Sequence, residues 1–225
     1  MAVGLTFPSI LGPFRPREFD PAGCAPLDVR AMHFTVEAQK RITDYLSSGD
    51  IAIDATAGNG HDTLFLARIV GPQGKVIAID IQGDAVERLQ RKLQEQGLSD
   101  RVELAVGNHA QMKQIVAPKY HGRVACVMFN LGYLPLGDKS ITTTRDSTLE
   151  AVQGATELLK PGGMMTLLAY VGHTGGREEA TAVSEWFESR SGALERSRVQ
   201  DDSNPNSPIL WIVRNRPGDG SREGS

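Results

Sequence analysis

Apolar and polar positions alternate in blocks along the chain, and the period within each block separates strands from helices. Ile51-Ala52-Ile53 is a short apolar run ending at Asp54, and Lys75 to Asp80 is a second. Val102 to Val106 reads as a third strand. Val124 to Phe129 and Met164 to Tyr170 are nearly all apolar, as expected for strands covered on both faces. Helical spacing appears in Phe34 to Leu46, His61 to Val70, Gly83 to Gln96, Ser147 to Leu159 and Arg177 to Ser189. Within Gly83 to Gln96, Val86, Leu89 and Leu93 share one face and Gly97 is the stop. Asp84 and Glu87 predict a capping-box-like start there. Gly71-Pro72-Gln73-Gly74 is a turn, and Lys160-Pro161-Gly162-Gly163 stops the fourth helix. Leu194 to Val199 and Ile209 to Val213 close the pattern as two strands joined through Asn204-Pro205-Asn206.

Repeated strand-helix units predict an α/β fold, a mostly parallel sheet with helices on both faces. The closing strand pair has no helix between its members, which predicts an antiparallel edge hairpin. One domain is expected over residues 31–214. Residues 1–30, rich in Pro and Gly, read as an extended or partly disordered leader, and 215–225 as a disordered tail.

Composition narrows the picture. The 225 residues are 40% hydrophobic and 23% charged, enough for a sizeable core without staples. A net charge of −3 argues against a strongly basic nucleic-acid coat protein but leaves room for a nucleic-acid enzyme with a local basic patch. Cys126 sits in an apolar run, which predicts a buried thiol, and Cys24 is remote from it. A disulfide framework is not expected, so a reducing, cytoplasmic compartment fits. No apolar run approaches membrane-spanning length, so no membrane association is expected. Met1 to Phe14 lacks a charged start and is broken by Pro8 and Pro13, which argues against a signal peptide.

The candidate chemistry gathers at strand ends. Asp54-Ala55-Thr56-Ala57-Gly58-Asn59-Gly60 follows the first strand and precedes a helix, where glycines let backbone approach a ligand closely. The next strand ends in Asp80, an acid placed to accept hydrogen bonds from ribose hydroxyls. A dinucleotide site wants Gly-x-Gly-x-x-Gly, and the third glycine is missing here. Asp54 would also repel a pyrophosphate. A cofactor with an ammonium and a sulfonium, and no phosphate, suits that acid. Asn108 after the third strand can reach an adenine or cap the following helix, and both roles are compatible. His109 beside it reads as structural rather than catalytic.

Phe129-Asn130-Leu131-Gly132-Tyr133-Leu134-Pro135 follows the fourth strand and aims Asn130 at the same crevice. Its amide oxygen can accept a proton from an amine and orient the lone pair, although a plain polar turn has a similar pattern. Leu136 to Arg145 is polar, with hydroxyls and two cations able to meet phosphate or base. His173 lies among glycines after the fifth strand and can bind substrate or move a proton. Glu178 and Glu179 are expected to cap the next helix through its dipole. His61, His109, His121 and His173 lack zinc-type spacing, so no metal site is expected. Neither a nucleophile elbow nor a Walker loop is present.

Three runs occur in order: Asp54 to Thr63, Phe129 to Pro135 with Gly137-Asp138-Lys139, and Tyr170 to Gly176. Together they resemble the small bacterial and plastid methyltransferases once labelled rRNA methylases, over roughly residues 30–214. That family is associated with N-methylation of 5-aminomethyl-(2-thio)uridine at the tRNA wobble position. The resemblance implies a Rossmann-like class I methyltransferase fold, a seven-stranded sheet with one antiparallel strand. It implies S-adenosylmethionine as cofactor, held by Asp54, Gly58, Asn59, Gly60, Asp80 and Asn108, with Thr56, Asp62, Gln82 and His109 beside it. The general class I pattern has Gly where this chain has Thr56. Asn130 would sit beside the transferred methyl; for the proton, Asp138, His173 and water all stay open as acceptors. Tyr133, Lys139, Thr142 and His173 become candidates for contact with the tRNA anticodon stem-loop. Monomer and homodimer both stay open. So do an rRNA, a protein amine or a small molecule as target, and a regulatory module that binds cofactor without catalysis.

Overall fold

In the computed structural model, residues 29–132 and 143–216 are described. The apolar runs form β1 (Ile51–Asp54), β2 (Lys75–Asp80), β3 (Val102–Val106), β4 (Val124–Leu131), β5 (Leu159–Ala169), β6 (Leu194–Val199) and β7 (Ile209–Asn215). The helices are α1 (Val29–Thr43), α2 (His61–Val70), α3 (Gly83–Glu95), α4 (Met112–Ile115), α5 (Arg145–Leu158) and α6 (Gly176–Glu188). The strands make one seven-stranded sheet in the order β3-β2-β1-β4-β5-β7-β6. β1 to β5 pair in parallel, while β7 runs antiparallel to both β5 and β6. The expected edge hairpin is therefore present, with its second strand inserted between β5 and β6. This is the Rossmann-like, mostly parallel seven-stranded arrangement that the sequence led us to expect.

Side chains alternate across the sheet with a period of two, and each face collects its own core. Ile53, Val127, Phe129 and Leu167 face α5 and α6, where Ala151, Val152, Val183 and Phe187 are buried. Ala52, Ala78, Cys126 and Met128 face the other way, against Ile42 of α1, Leu66 of α2 and Leu89 of α3. Cys126 is fully buried, and that burial pushes its thiol well above the ordinary range. Lys160 pairs with Asp50 at 2.8 Å, and Tyr45 donates to the Gly162 carbonyl at 2.9 Å, so the connector after α1 is tied to the start of β5. Among the described residues, no helix is long and apolar enough to cross a membrane.

Two local expectations are corrected. The helix stops where expected, α5 ending at Leu158, but β5 begins at once at Leu159 rather than at Met164. β4 pairs first at Val124 with Leu159 and next at Cys126 with Met164, so the Pro-Gly-Gly stretch is accommodated as a bulge. The start of α3 has no capping box. Gln82 is its N-cap without a side-chain hydrogen bond, and Asp84 instead bonds Arg88 one turn on, at 2.6 Å.

Candidate functional site

The strand order reverses between β1 and β4, and in open α/β sheets ligands bind at such a switch point, beyond the carboxyl ends of the strands. The loop after β1 is stitched down on both sides. Ala55 N–H donates to the Met128 carbonyl of β4, and Ala57 N–H to the Ile79 carbonyl of β2, each at 2.9 Å. Gly60 closes the loop as N-cap of α2 with φ 82°. The left-handed backbone angle favours glycine, and a Cβ there would also lie 2.4 Å from Leu89 Cδ1 of α3, so that side chain would have to shift. Lys92 of α3 donates to the Asn59 carbonyl at 2.8 Å.

Asp54 lies beneath this loop and is only 1% exposed. Its Oδ2 accepts from the Thr63 hydroxyl at 2.6 Å and its Oδ1 from Thr56 N–H at 3.3 Å. Burial first, and the neighbouring Asp62 second, push its carboxyl up to about 7. Asp62, in the first turn of α2, is 8% exposed and is also raised by burial. Its Oδ1 accepts from Gln39 Nε2 of α1 at 2.9 Å, and its Oδ2 from Asn130 Nδ2 at the end of β4. The backbone N–H of Asn130 donates to Thr56 Oγ1 at 2.8 Å. Asp54, Thr56, Asp62 and Asn130 thus form one bonded array at the switch point.

Asp80 joins the loop from β2. Its Oδ2 accepts from Gly58 N–H at 2.7 Å and its Oδ1 from Gln82 N–H at 2.9 Å. Asp80 pairs in register with Val106, so Ile81 and Val106 stand at the same end of the sheet. Both are exposed, at 51% and 61%. Asn108 caps the turn that follows, its Oδ1 accepting from Ala110 N–H at 2.9 Å. The His109 ring packs edge-on against Phe129 at 6.2 Å. Burial lowers its pKa to about 4, so it is neutral at ordinary pH. Its Nε2 is buried without a hydrogen bond among the described residues.

His173 follows β5, with Nδ1 at 3.0 Å from the Thr174 carbonyl. A Cβ on Gly132 would stand 3.7 Å from its Nε2, so the histidine reaches the chain two residues past Asn130. Glu178 and Glu179 stand in the first turn of α6, as expected, but Glu179 is turned inward. It is 2% exposed and accepts from the hydroxyls of Thr148 at 2.5 Å and Thr143 at 3.1 Å. Tyr133, Asp138, Lys139 and Thr142 lie outside the described residues. Among the described residues, no group of three or more His, Cys, Asp or Glu is placed to hold a metal ion.

Sequence reasoning missed Gln39, Ile81, Thr63 and the buried role of Glu179. Ile81 had a signal, an apolar residue directly after a strand-end acid. Gln39 had none, because a polar position on an amphipathic helix looks the same whether it faces water or a buried carboxylate.

Comparison with known proteins agrees with this geometry. A family model described as "Putative rRNA methylase" matches residues 76–213, and one described as protein-L-isoaspartate(D-aspartate) O-methyltransferase matches residues 28–121. The chain is 45% identical over 146 residues to the chloroplastic tRNA (mnm(5)s(2)U34)-methyltransferase of Arabidopsis thaliana, covering 61% of this chain and 53% of that protein. The chain spans about half the length of the curated relatives it matches. A crystal structure described as a "putative rRNA-methylase" from Clostridium thermocellum superposes with a TM-score of 0.76 at 37% identity, covering 80% of this chain and 96% of that one. A "putative methyltransferase" from Streptococcus mutans, solved in complex with SAH, superposes with a TM-score of 0.70 at 27% identity, covering 80% and 97%.

Proposed function

The chain belongs to the "Putative rRNA methylase" family, and from that premise we propose that it transfers a methyl group from S-adenosylmethionine to the amine of 5-aminomethyl-(2-thio)uridine at the tRNA wobble position. The observation that carries the proposal is the bond from Asn130 N–H to Thr56 Oγ1. It joins a strand-end amide, suited to an amine, directly to the glycine loop suited to the cofactor.

The residues present fit S-adenosylmethionine. Asp80 holds the loop amides while keeping free lone pairs for ribose hydroxyls. Ile81 and Val106 offer apolar faces to an adenine, with Asn108 and His109 at the rim. Asp54, buried under the loop, is a Coulomb partner from below, since a nearby ammonium and sulfonium would favour its ionised form against the burial that raises it. Gly58, Asn59 and Gly60 supply close backbone, and Gln82, at the start of α3, borders the ribose side.

S-adenosylmethionine, when bound, supplies an electrophilic methyl on sulfur. The protein's share is orientation and proton handling. Asn130 Oδ1 accepts an N–H of the substrate amine and so turns the nitrogen lone pair toward the crevice. The amine must be neutral to attack, and desolvation favours that form. His173, close to Gly132, is the proposed proton acceptor among the described residues. Asp138 stays a proposed alternative, and Tyr133, Lys139 and Thr142 stay proposed contacts to the anticodon stem-loop. Buried Cys126 plays no nucleophilic part in this route. A tRNA target implies a compartment where tRNA is modified, and the cytoplasmic assignment belongs to this proposal.

Two measurements test the reading. Calorimetry should give binding of S-adenosylmethionine and none of NAD. Nucleoside mass spectrometry of tRNA from a deletion strain should show accumulated 5-aminomethyl uridine. Normal tRNA, with an unmethylated rRNA position instead, would move the substrate to rRNA.

A further inference from the structure

An asparagine at a methyl-transfer centre is useful in only one orientation. With its amide oxygen toward the substrate it accepts an N–H and leaves the amine lone pair free. With its NH2 outward it would donate to that same lone pair and block attack. Something must therefore fix the 180° choice.

We infer that Asp62 is a positioning residue which, braced by Gln39, locks the Asn130 amide with its oxygen toward the crevice. The inference rests on the proposed place of Asn130 beside the reacting amine. An ionised carboxylate only accepts hydrogen bonds, so the group that Asn130 turns toward Asp62 Oδ2 must be its NH2. Gln39 Nε2 fills the other oxygen, Oδ1, at 2.9 Å and stops the carboxylate from swinging away. The Asn130 main chain is held separately by Thr56. Backbone and NH2 are thus both committed, and among the described residues Asn130 Oδ1 takes no hydrogen bond. The acceptor left over is the one the reaction needs.

The charge this requires is supported locally. Asp62 sits in the first turn of α2, where the helix end favours an anion. His61 on the same helix also favours its ionised form, as do the two amide donors, from α1 and β4. Burial outweighs these and leaves the Asp62 carboxyl raised, and the charge of Asp62 in turn raises buried Asp54 of β1. A proton taken up by Asp62 would let it donate to Asn130 Oδ1 and turn the NH2 outward. The lock therefore opens in acid.

This role differs from direct cofactor contact, and the difference is measurable. In the full-length chain, Asp62→Leu should slow single-turnover transfer to an anticodon stem-loop carrying 5-aminomethyl uridine by roughly 10- to 100-fold. Affinity for S-adenosylmethionine should stay within about two-fold. The double variant Asp62→Leu/Asn130→Ala should be no slower than Asn130→Ala alone, since both remove one interaction. An equal loss of cofactor affinity, or additive losses, would overturn the inference. A second readout needs neither RNA nor a folded Asp62→Leu protein. The Asn130 side-chain amide resonance, identified by its absence in Asn130→Ala, should move in Asp62→Asn and follow a carboxylate titration in the parent chain. A resonance that neither moves nor titrates would also overturn it. Failure of the parent chain to methylate the RNA would instead remove the proposed substrate, while the resonance still reports on the lock.

Discussion

Thr56 Oγ1 accepts the backbone N–H of Asn130 at 2.8 Å, so a loop side chain completes the hydrogen bonding of a strand 74 positions away. The general pattern of the fold has glycine at this place. Here the hydroxyl satisfies a main-chain donor of β4 beyond the point where β1 has ended, while β4 still pairs with β5.

Thr56→Val keeps the shape and removes the acceptor. Urea unfolding should show a loss of about 1–3 kcal/mol for the orphaned N–H. Methyl transfer should slow as Asn130 loosens, and Thr56→Ser should restore both. Unchanged stability in Thr56→Val would mean that water replaces the hydroxyl.

Asp80 holds the other side of the loop through Gly58 N–H and Gln82 N–H. Asp80→Asn leaves one acceptor oxygen where two are used. Charge-assisted bonds of this kind are worth about 1.5–3 kcal/mol, so cofactor affinity should fall roughly 10- to 100-fold by calorimetry. The proposed ribose contact predicts that adenosine binding weakens in parallel.

What could be read from the chain beforehand follows a physical divide. Strand runs such as Val124 to Phe129 are legible because burial on both faces admits only apolar residues. Asp54, the glycines and Asp80 are legible because a strand-loop-helix unit leaves few backbone solutions at a ligand edge. Long-range polar pairing was not legible. Nothing local says that Gln39 meets Asp62, or that Thr148 meets Glu179, since each bond is set by helix packing. Glu179 looked like an ordinary first-turn acid because sequence position cannot tell the solvent side of a helix end from the side facing α5. The Pro-Gly-Gly stretch at 161–163 carried true turn chemistry, but the sheet used it for a bulge.

Asp54 makes folding pH-dependent. Its carboxyl is pushed up to about 7 by burial and then by Asp62, against an ordinary value of 3.8. A raised acid contributes stability that is fully present below its unfolded pKa and is lost as pH rises through the folded one. Stability should therefore fall between about pH 4 and 7, by an amount on the order of a few kcal/mol. Asp54→Asn has no proton to lose, and the Thr63 hydroxyl can accept from an amide as readily as it donates. Its thermal midpoint should match the parent near pH 4 and exceed it at pH 8. A constant difference across that range would remove Asp54 from the titration.

Glu179 separates substrate handling from cofactor binding. Its carboxylate ties Thr143, just before the N-cap of α5, to Thr148 within that helix, and interacts electrostatically with His173. Glu179→Leu strands two hydroxyls and should raise KM for the stem-loop while leaving S-adenosylmethionine affinity unchanged. Glu179→Gln can accept from Thr148 and donate to Thr143, so its KM should stay near the parent's. Burial raises the Glu179 carboxyl, with the two hydroxyls and His173 acting against that rise. The parent therefore loses stability as pH climbs through the folded pKa, and the glutamine variant does not. Thermal midpoints measured from acid to alkaline pH should show the variant gaining steadily on the parent. If KM rises equally in both variants, the carboxylate charge itself matters to the RNA, and Glu179 acts through His173 rather than through the threonine anchor.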